Sequence, residues 1–135
     1  MRQIVSALIL LVLMASKCEK QTIEGCLDFE LIKTEEMQNM PQNGFVLNSY
    51  TLEGKKLTLN ISFSGCGDNQ DQKLIVSKEM IKTLPPKRDA ILSFPEQMCE
   101  AYITTDICYD LSVLKEKTVL LLQTEKGIEE VILKP

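Results

Sequence analysis

Apolar and polar side chains alternate through most of the chain after residue 26, with the period of two that lays one face of a β-strand against a core. Leu57, Leu59, Ile61 and Phe63 alternate with Thr58, Asn60, Ser62 and Ser64, the clearest half-buried antiparallel strand in the chain. The run Phe45 to Leu52 precedes it, and Glu53-Gly54-Lys55 between the two is a Gly-containing turn that closes a hairpin. Val119 to Thr124 and Ile128 to Leu133 flank Glu125-Lys126-Gly127 in the same way. Leu27, Phe29 and Leu31 alternate with Asp28 and Glu30. Cys99, Ala101 and Ile103 alternate with Glu100, Tyr102 and Thr104, and Ile107 to Leu111 continues that strand after a bend. Leu74 to Val76 and Ala90 to Phe94 are short apolar runs, and Leu111 to Lys115 is a further short segment.

Two connections have room for a helical turn. One is Thr34 to Asn43, which holds Met37, Met40 and Pro41. The other is Lys78 to Thr83, stopped by Pro85-Pro86, which supply no amide to a helix or a central strand. No segment sustains an apolar stripe of period 3.6. Eight or nine short strands at spacings near ten residues predict an all-β chain, an antiparallel β-sandwich of the immunoglobulin-like or a related kind, in preference to a closed barrel.

The first residues break this pattern. Met1-Arg2-Gln3 is a positive start, and Ile4 to Ala15 holds a single polar residue, Ser6. That stretch falls short of the about 20 apolar residues a helix needs to span a hydrocarbon core of roughly 30 Å, so residues 1–17 read as a secretory signal peptide. Two processing rules compete over Leu13-Met14-Ala15-Ser16-Lys17-Cys18. A lipoprotein signal requires a small residue directly before the cysteine, where Lys17 stands. Ordinary cleavage after Ala15 meets the small-residue rule there but only loosely at Leu13. Lipidation of Cys18 and plain cleavage both stay open. Residues 18–25 are polar and read as a tether, and residues 26–135 as the β-sandwich domain.

Cysteine parity bears on this choice. If Cys18 carries lipid, Cys26, Cys66, Cys99 and Cys108 remain, an even number suited to two disulfides in an exported domain. Four cysteines allow three pairings, of which Cys66 with Cys99 and Cys26 with Cys108 is preferred. The first closes a loop of 33 residues, worth about 3.7 kcal/mol in the chain-entropy model. Removing residues 1–17 leaves 118 residues with 13 basic and 19 acidic side chains, a net charge of -6. A nucleic-acid footprint needs clustered basic charge, so no nucleic-acid partner is expected.

Histidine is absent from the 135 residues, which removes Ser-His-Asp and Cys-His catalysis and imidazole metal sites. Tryptophan is absent too, so a core built around a buried indole is not expected. The gaps between the four later cysteines are 40, 33 and 9 residues, unlike the paired short spacings of a zinc ribbon. Gly65-Cys66-Gly67-Asp68 lacks the Gly-Lys-Ser/Thr of a phosphate loop, and its glycines suit a strand-ending turn beside a bridged cysteine. Asp68, Asn69 and Asp71 offer oxygen ligands without the spacing of a calcium loop and read as a solvated acidic turn. Paired carboxylates for glycoside hydrolysis have little room for a cleft in a domain of this size. Asn60-Ile61-Ser62 matches a glycosylation acceptor but lies inside the clearest strand.

At Leu57 to Gly67, then at Met98-Cys99-Glu100-Ala101-Tyr102-Ile103 and at Tyr109-Asp110-Leu111-Ser112-Val113-Leu114, the chain resembles a group of small uncharacterised bacterial cell-envelope lipoproteins. Shared features are a strand running into Gly-Cys, a later Cys-Glu-Ala, and an Asp-Leu-Ser-x-Leu segment before the last hairpin. The likeness covers roughly residues 50 to 135. It implies envelope export and an all-β fold, and it implies no chemistry. Where the group often shows Cys-x-x-His, this chain has Cys66-Gly67-Asp68-Asn69.

The sequence therefore predicts an exported, non-enzymatic binding or structural module of the cell envelope, membrane-anchored or periplasmic, with secretion as the alternative. It carries no catalytic, cofactor or metal set, and its partner is a protein or envelope component of unknown identity, with the membrane as a further partner if Cys18 is acylated. A second reading is a small-ligand carrier with a barrel cavity lined by Met37, Met40, Met80 and Met98. A third is a protease-inhibitor-like domain presenting Leu84-Pro85-Pro86-Lys87-Arg88, whose prolines stiffen the loop before binding.

Overall fold

The computed structural model describes residues 25–42, 44–66, 72–94, 99–114 and 117–133. The signal peptide, Cys18, the tether up to residue 24, the acidic turn at Asp68 to Asp71 and Met98 lie outside the described residues. Among the described residues nine strands and one short helix follow in the order β1 (Leu27–Asp28), β2 (Glu30–Ile32), α1 (Thr34–Met37), β3 (Phe45–Glu53), β4 (Lys56–Gly65), β5 (Lys73–Ser77), β6 (Lys87–Ser93), β7 (Ala101–Asp110), β8 (Thr118–Thr124) and β9 (Gly127–Leu133). They form two sheets, β1-β7-β4-β3 and β2-β5-β6-β8-β9. The sheets stay open and stack as a sandwich, so the ligand-carrying barrel is withdrawn.

Both expected hairpins are present. β3 and β4 pair antiparallel from Phe45↔Phe63 to Glu53↔Lys56, and the two-residue loop between them starts at Gly54, whose φ of 61° only glycine adopts without strain. β8 and β9 pair from Thr118↔Leu133 to Thr124↔Gly127. Asn48 is the extra residue where the β3 register shifts between Leu47 and Ser49, and this bulge keeps Leu47 and Tyr50 on the same inner face.

Three ladders run parallel: β1 with β7, β2 with β5, and β6 with β8. An immunoglobulin sandwich is built of antiparallel sheets, so this one is of the related kind. Parallel neighbours need a long crossover, and β7, lying in the opposite sheet, is the crossover between β6 and β8. Leu27 to Leu31 does not make one strand. The chain pairs with β7 over Leu27 and Asp28, passes Phe29, and joins β5 in the other sheet from Glu30. That switch closes one side of the sandwich. On the other side Tyr50 Oη accepts the Ile132 N–H at 3.3 Å, and the Phe45 carbonyl accepts the Glu125 N–H at 2.9 Å.

The core lies between the sheets. Leu57, Leu59, Ile61 and Phe63 of β4 are buried with Ile107 and Tyr109 of β7 against Leu74, Val76, Leu92, Leu120 and Val131. Each such side chain contributes about 1.5–3 kcal/mol relative to exposure. Phe94 sits with its ring centroid 5.1 Å from that of Phe63 and 5.9 Å from that of Phe45. Tyr109 is fully buried, and its hydroxyl donates to the Gln72 carbonyl at 2.8 Å.

A second, smaller core covers the outside of the five-stranded sheet, where Met37 packs with Ile75 and Ile91, flanked by Ile32 and Met40. The chain from Lys33 to Gln42 folds back over this face, and Gln42 bridges to Ser93. Strands β5 and β6 are thus buried on both faces, as unbroken apolar runs require. Strand β7 runs without the expected bend for ten residues, Ile103 and Thr105 keeping the inward alternation up to Ile107. The Lys78 to Thr83 segment is an irregular loop without a helical turn.

Candidate interaction surface

Both disulfides hold β7. Cys26 joins Cys108 and Cys66 joins Cys99, with Cα separations of 4.7 and 4.8 Å, the preferred pairing. In the parallel β1–β7 register Cys26 stands opposite Cys108. The second bridge staples β4 and β7 just beyond their last pair, Gly65↔Ala101. Two disulfides belong to an oxidising, non-cytoplasmic compartment. No helix among the described residues is long and apolar enough to cross a membrane.

The Asp-Leu-Ser-x-Leu segment is a folding element. The Asp110 carboxylate accepts the Ser112 N–H at 2.9 Å and the Ser112 hydroxyl, a local turn. This turn drops Leu111 and Leu114 into the core, and the Leu111 N–H reaches the Lys55 carbonyl at 2.8 Å.

The methionines assigned to a barrel lining go to different places. Met37 is buried and Met40 half-buried in the outer core, and Met80 is exposed. Beside that outer core lie two open depressions of about 190 and 180 Å³. They share Gln42, Ile91 and Gln123 in their linings, and each is smaller than the roughly 300–1,000 Å³ usual for a small-ligand pocket. Outside the four-stranded sheet, polar side chains satisfy one another. Asn48 Nδ2 donates to Asn60 Oδ1 and Ser62 Oγ at 2.9 and 2.8 Å. Asn60 Nδ2 donates to Asp106 Oδ1 at 2.7 Å, which occupies the side chain of the glycosylation-like motif.

Among the described residues, the most exposed large apolar side chain lies in the loop between β5 and β6. Leu84 is 102% exposed, yet the loop that carries it is tied on every side. The Ile81 N–H donates to the Lys87 carbonyl at 2.8 Å and the Lys87 N–H returns to the Ile81 carbonyl at 3.1 Å. Within the loop Thr83 donates its N–H to the Ile81 carbonyl at 2.9 Å and its hydroxyl to the Pro85 carbonyl at 2.8 Å. The Pro86 carbonyl accepts the Val119 N–H at 3.0 Å.

The base of the loop is anchored by charge. Glu79 Oε2 accepts the Thr34 N–H at 2.8 Å and the Thr34 hydroxyl, while the Glu79 N–H donates to Ser77 Oγ. The Thr34 hydroxyl and amide hold the Glu79 carboxyl below its ordinary value. Lys87 Nζ lies 2.7 Å from Glu130 Oε1, and Arg88 Nη1 donates to the Ser77 and Lys78 carbonyls at 2.9 and 2.7 Å. The two cations assigned to inhibitor-like contact are therefore half-buried and spent on the fold. Leu84 is the free side chain.

The same end of the sandwich collects other exposed groups. Met80 and Ile81 are exposed beside the loop, and Val113 projects from the connection after β7. Of the ten described Lys and Arg residues only Lys73 and Lys126 lie elsewhere. Lys33, Lys78, Lys82 and Lys117 are exposed at this end, with Lys55 and Lys56 half-exposed at the β3–β4 turn. Glu35, Glu36, Glu53 and Glu79 are the acids of the same connections among the described residues.

No family model and no curated protein matches the chain. Among solved structures it is similar to a protein of unknown function, DUF1344, from Bacteroides vulgatus, with a TM-score of 0.57 and 11% identity. The likeness covers 82% of this chain and 56% of that one, so the chain spans a little over half the length of its structural neighbour. At that identity the likeness shows the fold alone.

Proposed function

We propose that the chain is an exported, non-enzymatic binding module of the cell envelope, anchored by lipid where Cys18 is acylated, and that it meets its partner through the end bearing Leu84. The observation that carries this reading is a fully exposed leucine on a loop closed at its base by the Ile81–Lys87 pair and braced inside by Thr83. A mobile loop would pay an ordering cost on contact, whereas this one presents its apolar tip in place. Envelope residence is supported by the two disulfides and by the resemblance to envelope lipoproteins. The non-enzymatic part of the reading is supported by where the reactive side chains go: the four described cysteines are bridged and Tyr109 is sunk in the core.

A photo-crosslinking residue at position 84, placed in the full chain and activated in intact cells, tests the contact surface. An adduct at 84 and none at Thr51, on the polar face of the four-stranded sheet, is the expected result. Adducts at Thr51 alone, or none at either site, would end the proposal. Intact mass of the exported protein reports the acyl group and both bridges in the same preparation.

A further inference from the structure

We infer that the end of the sandwich bearing Leu84 docks on an anionic lipid bilayer. This deepens the reading above and rests on its contact surface. Three features of the loop fit lipid. Leu84 is fully exposed in the loop, with Met80 and Ile81 exposed on its β5 side, an arrangement suited to entering a deformable apolar layer.

The second feature is the backbone at the tip. An amide left unpaired in hydrocarbon is costly. Of the five residues from Lys82 to Pro86, the two prolines have no N–H, and the Thr83 N–H is bonded to the Ile81 carbonyl. Both residues that frame the tip, Ile81 and Lys87, exchange their N–H and carbonyl groups with each other. The apex therefore offers few naked donors to whatever surrounds it.

The third feature is charge. Without residues 1–17 the chain carries a net charge of -6, so an anionic surface repels it in most orientations. The loops at this end carry the exposed Lys33, Lys78, Lys82 and Lys117 and the half-exposed Lys55 and Lys56 against the exposed Glu35, Glu36, Glu53 and Glu79, a small cationic excess among the described residues. Their long stems let the ammonium groups reach lipid phosphates while Leu84 goes beneath them. Each lysine close to an anionic leaflet strengthens binding about fivefold, and salt weakens this within a Debye length.

The test is flotation of the chain from residue 18 onward, exported behind an ordinary cleavable signal peptide and carrying Cys18→Ser so that neither acyl group nor apolar leader contributes, with vesicles of phosphatidylcholine alone or mixed with phosphatidylglycerol. The chain should float with the mixed vesicles, less so at high salt, and not with phosphatidylcholine alone. Lys82→Gln and Lys78→Gln should each weaken binding about fivefold, and Leu84→Asp by about tenfold or more. Ile128→Ser, at an exposed site on the opposite end, should leave it unchanged, and thermal melting shows that each variant is folded. No flotation, equal flotation with both vesicles, or a Leu84→Asp chain that floats normally would overturn the assignment. A protein adduct in place of a lipid adduct at position 84 would keep the contact surface and still overturn the bilayer.

Discussion

The two disulfides divide the stability of this domain in a way that loop lengths make calculable. Cys26–Cys108 spans 82 residues and Cys66–Cys99 spans 33, nested inside it. Each bridge alone would remove unfolded-state entropy worth about 4.5 and 3.7 kcal/mol respectively in the chain-entropy model. With the inner bridge closed, the outer loop shortens to about 50 links, so opening the outer bridge alone costs about 4.1 kcal/mol. The outer pair also holds β1, which has two residues in its ladder. A domain of this size has about 5–15 kcal/mol in total. Urea unfolding of the oxidised chain and of two double variants, Cys26→Ala with Cys108→Ala and Cys66→Ala with Cys99→Ala, measures the two contributions. The variant without Cys26–Cys108 should lose about 4.1 kcal/mol and the one without Cys66–Cys99 about 3.3 kcal/mol, each with a larger m value because the less crosslinked unfolded chain exposes more surface. A loss under about 1 kcal/mol in a correctly folded variant would refute the assumption that these bridges act by restraining the unfolded chain.

Three further predictions concern polar groups inside or beside the core. Gln72 is buried with neither side-chain amide atom hydrogen-bonded, so Gln72→Met should raise stability by about 1–2 kcal/mol in urea melts; a loss would show that those atoms are satisfied in solution. Burial pushes the Tyr109 phenol above its ordinary value of 10.0, so its contribution is complete below about pH 10 and is lost as pH rises, because the unfolded chain ionises first. Tyr109→Phe should cost about 1 kcal/mol at neutral pH by leaving the Gln72 carbonyl without its donor, and should flatten the alkaline fall in melting temperature. The Glu79 carboxyl is held below 4.5 by Thr34, so its contribution is present above that pH and disappears as pH falls through the lowered value. Thr34→Ala should bring the carboxyl resonance of Glu79 back toward ordinary titration by NMR, and an unmoved titration curve would discard the Thr34 contacts as its cause.

Alternation records which face of a strand is buried, and it does so faithfully here. Leu57 to Phe63 point inward as read, the hairpins turn at Gly54 and Gly127, and the cysteine pairs close where preferred. It carries no record of which strand lies alongside or in which direction. Leu27, Phe29 and Leu31 give one continuous pattern although Phe29 marks a change of sheet, because both sheets offer the same interior to an inward side chain. The parallel β6–β8 ladder is equally silent, since it depends on β7 crossing in the opposite layer. Leu74-Ile75-Val76 and Ala90-Ile91-Leu92 were legible in a way that alternation alone overlooks: an unbroken apolar triplet needs cover on both faces, and Met37 with Met40 supplies the outer half. The proposed interaction surface was half legible. Pro85-Pro86 marked a stiff loop, and Lys87 and Arg88 drew attention as charged groups, but a charge in a sequence does not show whether it is already spent. Glu130 and the carbonyls of Ser77 and Lys78 consume those two cations and leave Leu84 outermost. On the proposed reading a surface that binds this end rewards an apolar tip first and positive charge around it second, which sets the order in which substitutions at Leu84 and the lysines should matter.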